Sequence, residues 1–339
     1  MALTSIEWTQ RTWNPVTGCT KVSPGCDHCY AATMARRLHG RAGYPDLDPF
    51  SVTLHPDRLT EPAQVRKPST FFVCSMGDLF HSAVPWEYIV RVFVAMAATP
   101  QHTYQVLTKR PGRMAYFAEH VWAGEDIRNP AVYHSWPANV WAGTSVESQR
   151  YAPRLDVLAR VPAPVRFVSA EPLLGPLDLR KWLPCSVCAL DTPIINGIPT
   201  QDAGLFQGAR CAACGGRRGH ARLSWVIVGG ESGPGARPMH PDWARSIRDQ
   251  CVAADVPYFL KQWGEWGTRL DHPTARVAGD GWGTLEVDGQ WWPTTTPWNG
   301  HQGEDSPTRE YVMLRVGKKA AGALLDGREW RQMPEVACD

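Results

Sequence analysis

The strongest constraint on this chain is a repeated pattern. Six short apolar runs each close in a polar or glycine-rich tail, and helix-like stretches lie between them. The runs are Thr70-Phe71-Phe72-Val73-Cys74 before Ser75-Met76-Gly77-Asp78, Tyr104-Gln105-Val106-Leu107 before Thr108-Lys109, and Val140-Trp141-Ala142 before Gly143-Thr144-Ser145-Val146-Glu147. Val165-Arg166-Phe167-Val168 before Ser169-Ala170-Glu171, Trp225-Val226-Ile227-Val228 before Gly229-Gly230-Glu231, and Tyr258-Phe259-Leu260 before Lys261 complete the set. Continuous apolar runs of this length read as strands buried on both faces. Residues 86–98 carry a helical stripe of Ile89, Val92, Phe93 and Met96, and residues 151–160 and 241–254 are similar. Strand–helix alternation implies a parallel sheet with right-handed crossovers. With a first strand just before Cys19, the pattern predicts an α/β fold, a partial (β/α) TIM-like barrel. In that architecture the C-terminal strand ends carry the chemistry. Here those ends hold Asp78, Lys109, Glu147, Glu171, Glu231 and Lys261.

Two groups of thiols stand out. Cys19, Cys26 and Cys29 give C-x6-C-x2-C on a loop with glycines and a proline, followed by a helix-like stretch from Tyr30. Three thiolates on one loop suit a soft metal, and thiolates hold iron–sulfur clusters. A four-iron cluster with three protein ligands has one open iron for a small chelating molecule. A zinc site using His28 is the alternative. A helix N-terminus after the loop would soften negative charge. The second group, Cys185-x2-Cys188 and Cys211-x2-Cys214 with a linker of about 22 residues, reads as a zinc ribbon inserted at residues 183–223. A second iron–sulfur cluster is its competitor. The basic run Arg217, Arg218 and Arg222 suits phosphate contact or a solvated face. Cys74, Cys251 and Cys338 remain of the 10 cysteines.

A hydrophobic content of 43% excludes global disorder, and a net charge of +2 neither demands nor excludes a nucleic-acid partner. The first residues lack a basic region followed by an apolar run, and no stretch reaches the roughly 18 apolar residues of a membrane span. The expectation is a soluble cytoplasmic protein whose cysteines bind metals. Many of the 16 tryptophans are flanked by glycine and proline, so some are expected to line a pocket or groove. The implied organisation is a first barrel part at 1–182, the insert at 183–223, the remaining strands at 224–267, and an irregular Trp/Gly/Pro-rich extension at 268–339. Near its end, residues 317–325 read as a short helix with a glycine stop.

The cysteine loop, the alternation and the glycine-rich strand ends together resemble the radical S-adenosylmethionine superfamily. More narrowly, Trp13-Asn14-Pro15-Val16-Thr17-Gly18-Cys19, Phe259-Leu260-Lys261-Gln262-Trp263-Gly264 and Gly317-Lys318-Lys319-Ala320-Ala321-Gly322 resemble a phage-associated family of three-Cys-motif proteins of unassigned function. Tyr30 after the third cysteine is similar to the spore photoproduct lyase branch. The resemblance implies a [4Fe–4S] cluster on Cys19, Cys26 and Cys29, with S-adenosylmethionine cleaved to a 5′-deoxyadenosyl radical. The superfamily spacing is C-x3-C-x2-C, so this loop is three residues longer, and His28 holds the usual aromatic position. By position, Ser75, Gly77 and Asp78 would meet the cofactor's amino group, Ser145 and Glu147 its ribose, and Gly229, Gly230 and Glu231 its adenine. The implied partners are an electron donor, a further protein, and a nucleic-acid substrate whose modified or repaired base is in DNA. A peptide or protein substrate is the alternative, and a non-enzymatic zinc and iron–sulfur DNA-binding protein a second one.

Overall fold

A computed structural model gives the architecture and describes residues 3–122, 135–185, 194–195, 198–199, 223–269, 271, 282–286, 288–294 and 311–335. The chain forms two compact units, Met1–Val146 with Pro153–Ser169, and Glu147–Ala152 with Ala170–Asp339.

In the first unit the apolar runs become parallel strands: β1 (Arg11–Trp13), β2 (Thr70–Val73), β3 (Thr103–Thr108), β4 (Val140–Ser145) and β5 (Arg166–Ala170, whose last residue belongs to the second unit). They lie side by side in chain order, with Arg11 beside Phe71, Thr70 beside Thr103, Tyr104 beside Val140 and Ala142 beside Arg166. No strand order reverses, so the unit is wound in one direction, as a barrel is, and lacks the switch point of a doubly wound sheet. Gly143 is not a tail residue but sits inside β4. A Cβ there would lie 2.4 Å from the Phe167 ring, so the strand needs glycine to admit that ring.

The helices follow the stripes. α1 spans Tyr30–Arg37, α2 Trp86–Ala97, α3 Pro111–Tyr116 and α4 Arg154–Leu158. α2 buries Ile89, Val92, Phe93 and Met96, the stripe expected of it. Phe93 packs against Phe117, Trp136 and Trp122 at ring-centre distances of 4.7, 4.9 and 5.2 Å. Burying one such ring is worth about 1.5–3 kcal/mol.

The second unit holds the parallel pair β6 (Trp225–Gly229) and β7 (Tyr258–Gln262), joined by α5 (Pro241–Ala253). The parallel sheet thus numbers seven strands in chain order. His240 starts α5 by accepting from the Asp242 amide. Lys261 lies inside β7 rather than beyond it. The free edge of β7 is covered: Trp330 O accepts from the Leu260 amide at 2.9 Å and Tyr258 O from the Gln332 amide at 3.2 Å. Among its described residues the tail contains regular strands. β8 (Trp266–Thr268), β9 (Trp282–Leu285), β10 (Trp291–Thr294) and β11 (Tyr311–Arg315) form an antiparallel sheet in the order β8-β11-β9-β10. The short helix is present as Lys318–Ala321, stopped by Gly322 at φ +64°.

The insert leaves and returns at one point, where the Leu223 amide bonds the Trp182 carbonyl at 2.9 Å. Cys185 is half-buried. Cys188, Cys211, Cys214, Arg217, Arg218 and Arg222 lie outside the described residues, as does Cys338, so the structure does not display a zinc ribbon. Among the described residues ten tryptophans are buried and belong to the core, while Trp292 is exposed. No helix among the described residues is long and apolar enough to cross a membrane.

Candidate cysteine centre

The cysteine loop is rooted in the turn after β2. The Asn14 side-chain oxygen accepts from the Met76 amide at 2.9 Å and the Ser75 hydroxyl at 3.2 Å. The Gly18 amide donates to the Met76 carbonyl at 2.9 Å, and Gly18 bridges Gly77 in parallel. Gly18 has φ +83°, and a Cβ on it would stand 2.0 Å from the Ser51 carbonyl oxygen. A Cβ on Gly77 would lie 2.9 Å from the Gly18 oxygen. The two glycines therefore let backbone cross backbone, a use that fits Gly77 without any ligand.

From that root the loop carries Cys19, then a 3-10 turn at Pro24–Cys26, then Cys29 as the residue capping α1. All three thiols are half-buried and none is in a disulfide. A thiolate at the start of a helix gains from the unpaired amides there. The Tyr30 hydroxyl donates to the Ser75 carbonyl and so fastens the start of α1 to the same turn.

Arg110, just past the end of β3, gathers the centre. Its Nη1 donates to Asp78 Oδ2 at 2.9 Å and to Cys19 Sγ at 3.3 Å. Its Nη2 donates to the Thr20 carbonyl and hydroxyl oxygens, each at 2.9 Å. Thr20 Oγ1 in turn lies 2.9 Å from His81 Nε2. Asp78 is fully used: Oδ1 accepts from the Thr108 hydroxyl at 2.7 Å and the Phe80 amide at 2.9 Å, while Oδ2 accepts from Arg110 and the Lys109 amide. A carboxylate has about four lone-pair sites, and all four are engaged.

These contacts set the electrostatics. Burial pushes the Cys19 thiol up, Asp78 adds to the rise, and Arg110 opposes both. Burial would lower Arg110, but Asp78 and Cys19 outweigh it and the guanidinium is raised. Burial, then Arg110, lowers His81 and favours its neutral form. The centre is thus a thiol beside a permanent cation whose counter-ion is locked in place.

Among the described residues, no three His, Cys, Asp or Glu side chains form a group that could hold a metal ion. Cluster thiolates bind different irons rather than one ion, so the donor set, three half-buried thiols on one loop with a charged donor on the first, fits an iron–sulfur cluster.

The structure brings Cys19, Ser75, Gly77 and Asp78 together in the first unit. Ser145 closes β4 there, buried, its carbonyl taking a bond from Arg154. Glu147, Gly229, Gly230 and Glu231 belong to the second unit. There Glu231 is buried and held by Arg237 through Nε at 2.8 Å and Nη2 at 2.6 Å. Gly230 serves a backbone crossing, since a Cβ would lie 1.9 Å from the Trp263 oxygen. Glu171 pairs with Lys261. Cys74 and Cys251 are buried, Cys251 pushed up to about 12 by burial. Arg110, Thr20, Thr108 and His81 were not singled out by sequence. The available signal was position, because Arg110 follows Lys109 at a strand end already marked.

A family model described as "Protein of unknown function (DUF5131)" matches residues 3–334. The chain belongs to this family. Among curated proteins nothing matches this DUF5131 sequence. Solved structures similar to it include a cysteine-to-serine variant of spore photoproduct lyase, at 11% identity and TM-score 0.43, covering 77% of this chain and 79% of that one. A second variant of that lyase, with bound AdoMet and dinucleoside spore photoproduct, matches at 11% identity and TM-score 0.35 over 72% of this chain and 62% of that one. A tyrosine-to-phenylalanine variant matches at 8% identity and TM-score 0.37, over 73% and 75%.

Proposed function

We propose that Cys19, Cys26 and Cys29 hold a [4Fe–4S] cluster and that the chain is a radical S-adenosylmethionine enzyme acting on a base in DNA. The observation that carries the first part is the arrangement at Cys19: a half-buried thiol of a three-thiol loop, bonded by an arginine that Asp78 holds in place. When bound, the cluster would supply an electron for cleavage of S-adenosylmethionine to a 5′-deoxyadenosyl radical. The chain's own residues do the remaining work. Gly18 and Gly77 fix the loop root against the β2 turn, and Cys29 stands at the α1 N-terminus. Asp78 has no oxygen left for an ammonium group, so in this reading it acts through Arg110. Ser75 and Ser145 are the remaining first-unit candidates for contact with the cofactor.

The DNA assignment rests on the sequence resemblance and on the basic run Arg217, Arg218 and Arg222. An enzyme acting on a base takes it out of the stack and binds with strong salt dependence. We propose zinc for the insert cysteines Cys185, Cys188, Cys211 and Cys214.

Anaerobic reconstitution of the purified chain should yield a four-iron centre by iron and sulfide content and by electron paramagnetic resonance. The reduced protein should release 5′-deoxyadenosine and methionine from S-adenosylmethionine. Combined replacement of Cys19, Cys26 and Cys29 by serine should abolish both. Unchanged iron content in that variant would sink the proposal. Mobility shifts on single- and double-stranded DNA at two salt concentrations test the substrate class, and absence of any shift would move the reading to a peptide.

A further inference from the structure

We infer that Arg110 sets the charge at the Cys19 corner of the cysteine centre and that Asp78 sets how much of that charge is felt. The inference rests on the reading of the loop as a cluster site and adds a residue pair to it. One guanidinium nitrogen is shared between Cys19 Sγ and Asp78 Oδ2, at 3.3 and 2.9 Å. The Arg110 and Asp78 side chains are only 15% and 6% exposed, so solvent screens the pair weakly. Arginine does not deprotonate in proteins, so its charge is permanent. Asp78 cannot swing away, because Thr108 and the Phe80 and Lys109 amides hold its remaining positions.

The three thiols are not equivalent. Among the described residues no cation bonds Cys26 or Cys29; the Ser23 hydroxyl stands 4.0 Å from Cys26 Sγ. Charge and hydrogen bonding at cluster sulfurs are among the levers on reduction potential. A fixed cation bonded to one ligand favours the reduced, more negative state. A carboxylate bonded to that same cation opposes it. Arg110 is therefore a positioning residue with a sign, and Asp78 is its counterweight.

The two contributions predict opposite displacements, which loss of packing alone would not produce. The test is a potentiometric titration, followed by electron paramagnetic resonance, of the reconstituted full chain without S-adenosylmethionine. Arg110→Gln should make the potential more negative, lowering the reduced-to-oxidised ratio at a fixed potential about tenfold, as expected for one hydrogen bond to a charged group. That factor is about 59 mV for a one-electron couple. Asp78→Asn keeps the shape but frees the cation, and should move the potential the other way. Arg110→Lys keeps the charge without the fork to Thr20, and should fall between wild type and Arg110→Gln. If Arg110→Gln does not fold or load iron, the Asp78→Asn and Arg110→Lys shifts decide. Shifts of the same sign, or none, overturn the inference and leave Arg110 as a staple between β3 and Thr20. A wild-type chain that takes up no iron overturns the proposed function, and this inference with it; iron uptake with unmoved potentials overturns this inference alone.

Discussion

Gly18→Ala is the most direct perturbation of the cysteine loop. At φ +83° an alanine carries the left-handed penalty of about 1–2 kcal/mol. Its Cβ would also fall 2.0 Å from the Ser51 carbonyl oxygen, a backbone atom with no rotamer to change. The loop must shift, and the shift loses the Gly18 amide bond to Met76 O and the Cys19 amide bond to Phe50 O, at 2.9 and 3.1 Å. Each such bond is worth about 1 kcal/mol net. The expected total is about 3–4 kcal/mol, read as a lower urea midpoint with unchanged slope. Gly112→Ala is the control. Gly112 lies in the first turn of α3 with nothing within 4 Å of a Cβ, so the substitution should be neutral or stabilise by up to about 1 kcal/mol. The reasoning fails if Gly18→Ala unfolds at the wild-type midpoint, or if the two alanines cost the same.

Phe93→Ala empties the space between Phe117, Trp122 and Trp136 and should cost about 3–5 kcal/mol in the same titration, with little change at the cysteines. Burial pushes the Tyr88 and Tyr104 hydroxyls up to about 12 and Tyr258 well above its ordinary value of 10.0. Groups raised on folding contribute stability that is complete below the unfolded value and lost as pH rises, so the unfolding midpoint should fall steeply between about pH 10 and 12. Tyr104→Phe should flatten that fall at the expense of the 2.6 Å bond to Thr99. At the acid end, burial would raise Asp326, but hydrogen bonds from Arg248 and Arg245 outweigh it and hold the carboxyl below its ordinary value of 3.8. Its contribution is present above that value and lost as pH falls below it. Because the side chain is 41% exposed, Asp326→Asn should cost under about 1 kcal/mol at pH 7 and nothing near pH 2. A chain ending at Glu329 loses the backbone bonds that cover the edge of β7 and should self-associate in sedimentation, whereas the full chain should not.

The parallel strands and the α2 stripe were legible because burial writes itself into neighbouring residues. Val226, Ile227 and Val228 are each fully buried, and such a run has few other uses. The strands among the described tail residues were hidden for the converse reason. β9 and β10 are built from Trp282-Gly283-Thr284-Leu285 and Trp291-Trp292-Pro293-Thr294, in which glycine and proline disguise strands. Gly283 is needed where the Trp291 ring lies 2.6 Å from its would-be Cβ. Glycine and proline neighbours are a poor guide to the exposure of a tryptophan. Trp13, fully buried, stands beside Asn14 and Pro15 yet donates its indole N–H to the Arg58 carbonyl, so a local loop composition coexists with a core ring.

The site divides along the same line. Three thiols within eleven residues are visible in any reading, but Arg110 lies 91 residues from Cys19 and meets it only because β3 ends where the cysteine loop returns. Composition carries no record of that register. The strand-end glycines and acids make contacts within the chain that their sequence positions do not reveal. Gly77 and Gly230 each admit another stretch of this chain's own backbone. Asp78 and Glu231 each grip an arginine. In both places a glycine directly precedes an acid after a parallel strand, and in both the acid orders a cation. The carboxylates therefore serve here as anchors, and the chemistry should be sought at the groups they hold.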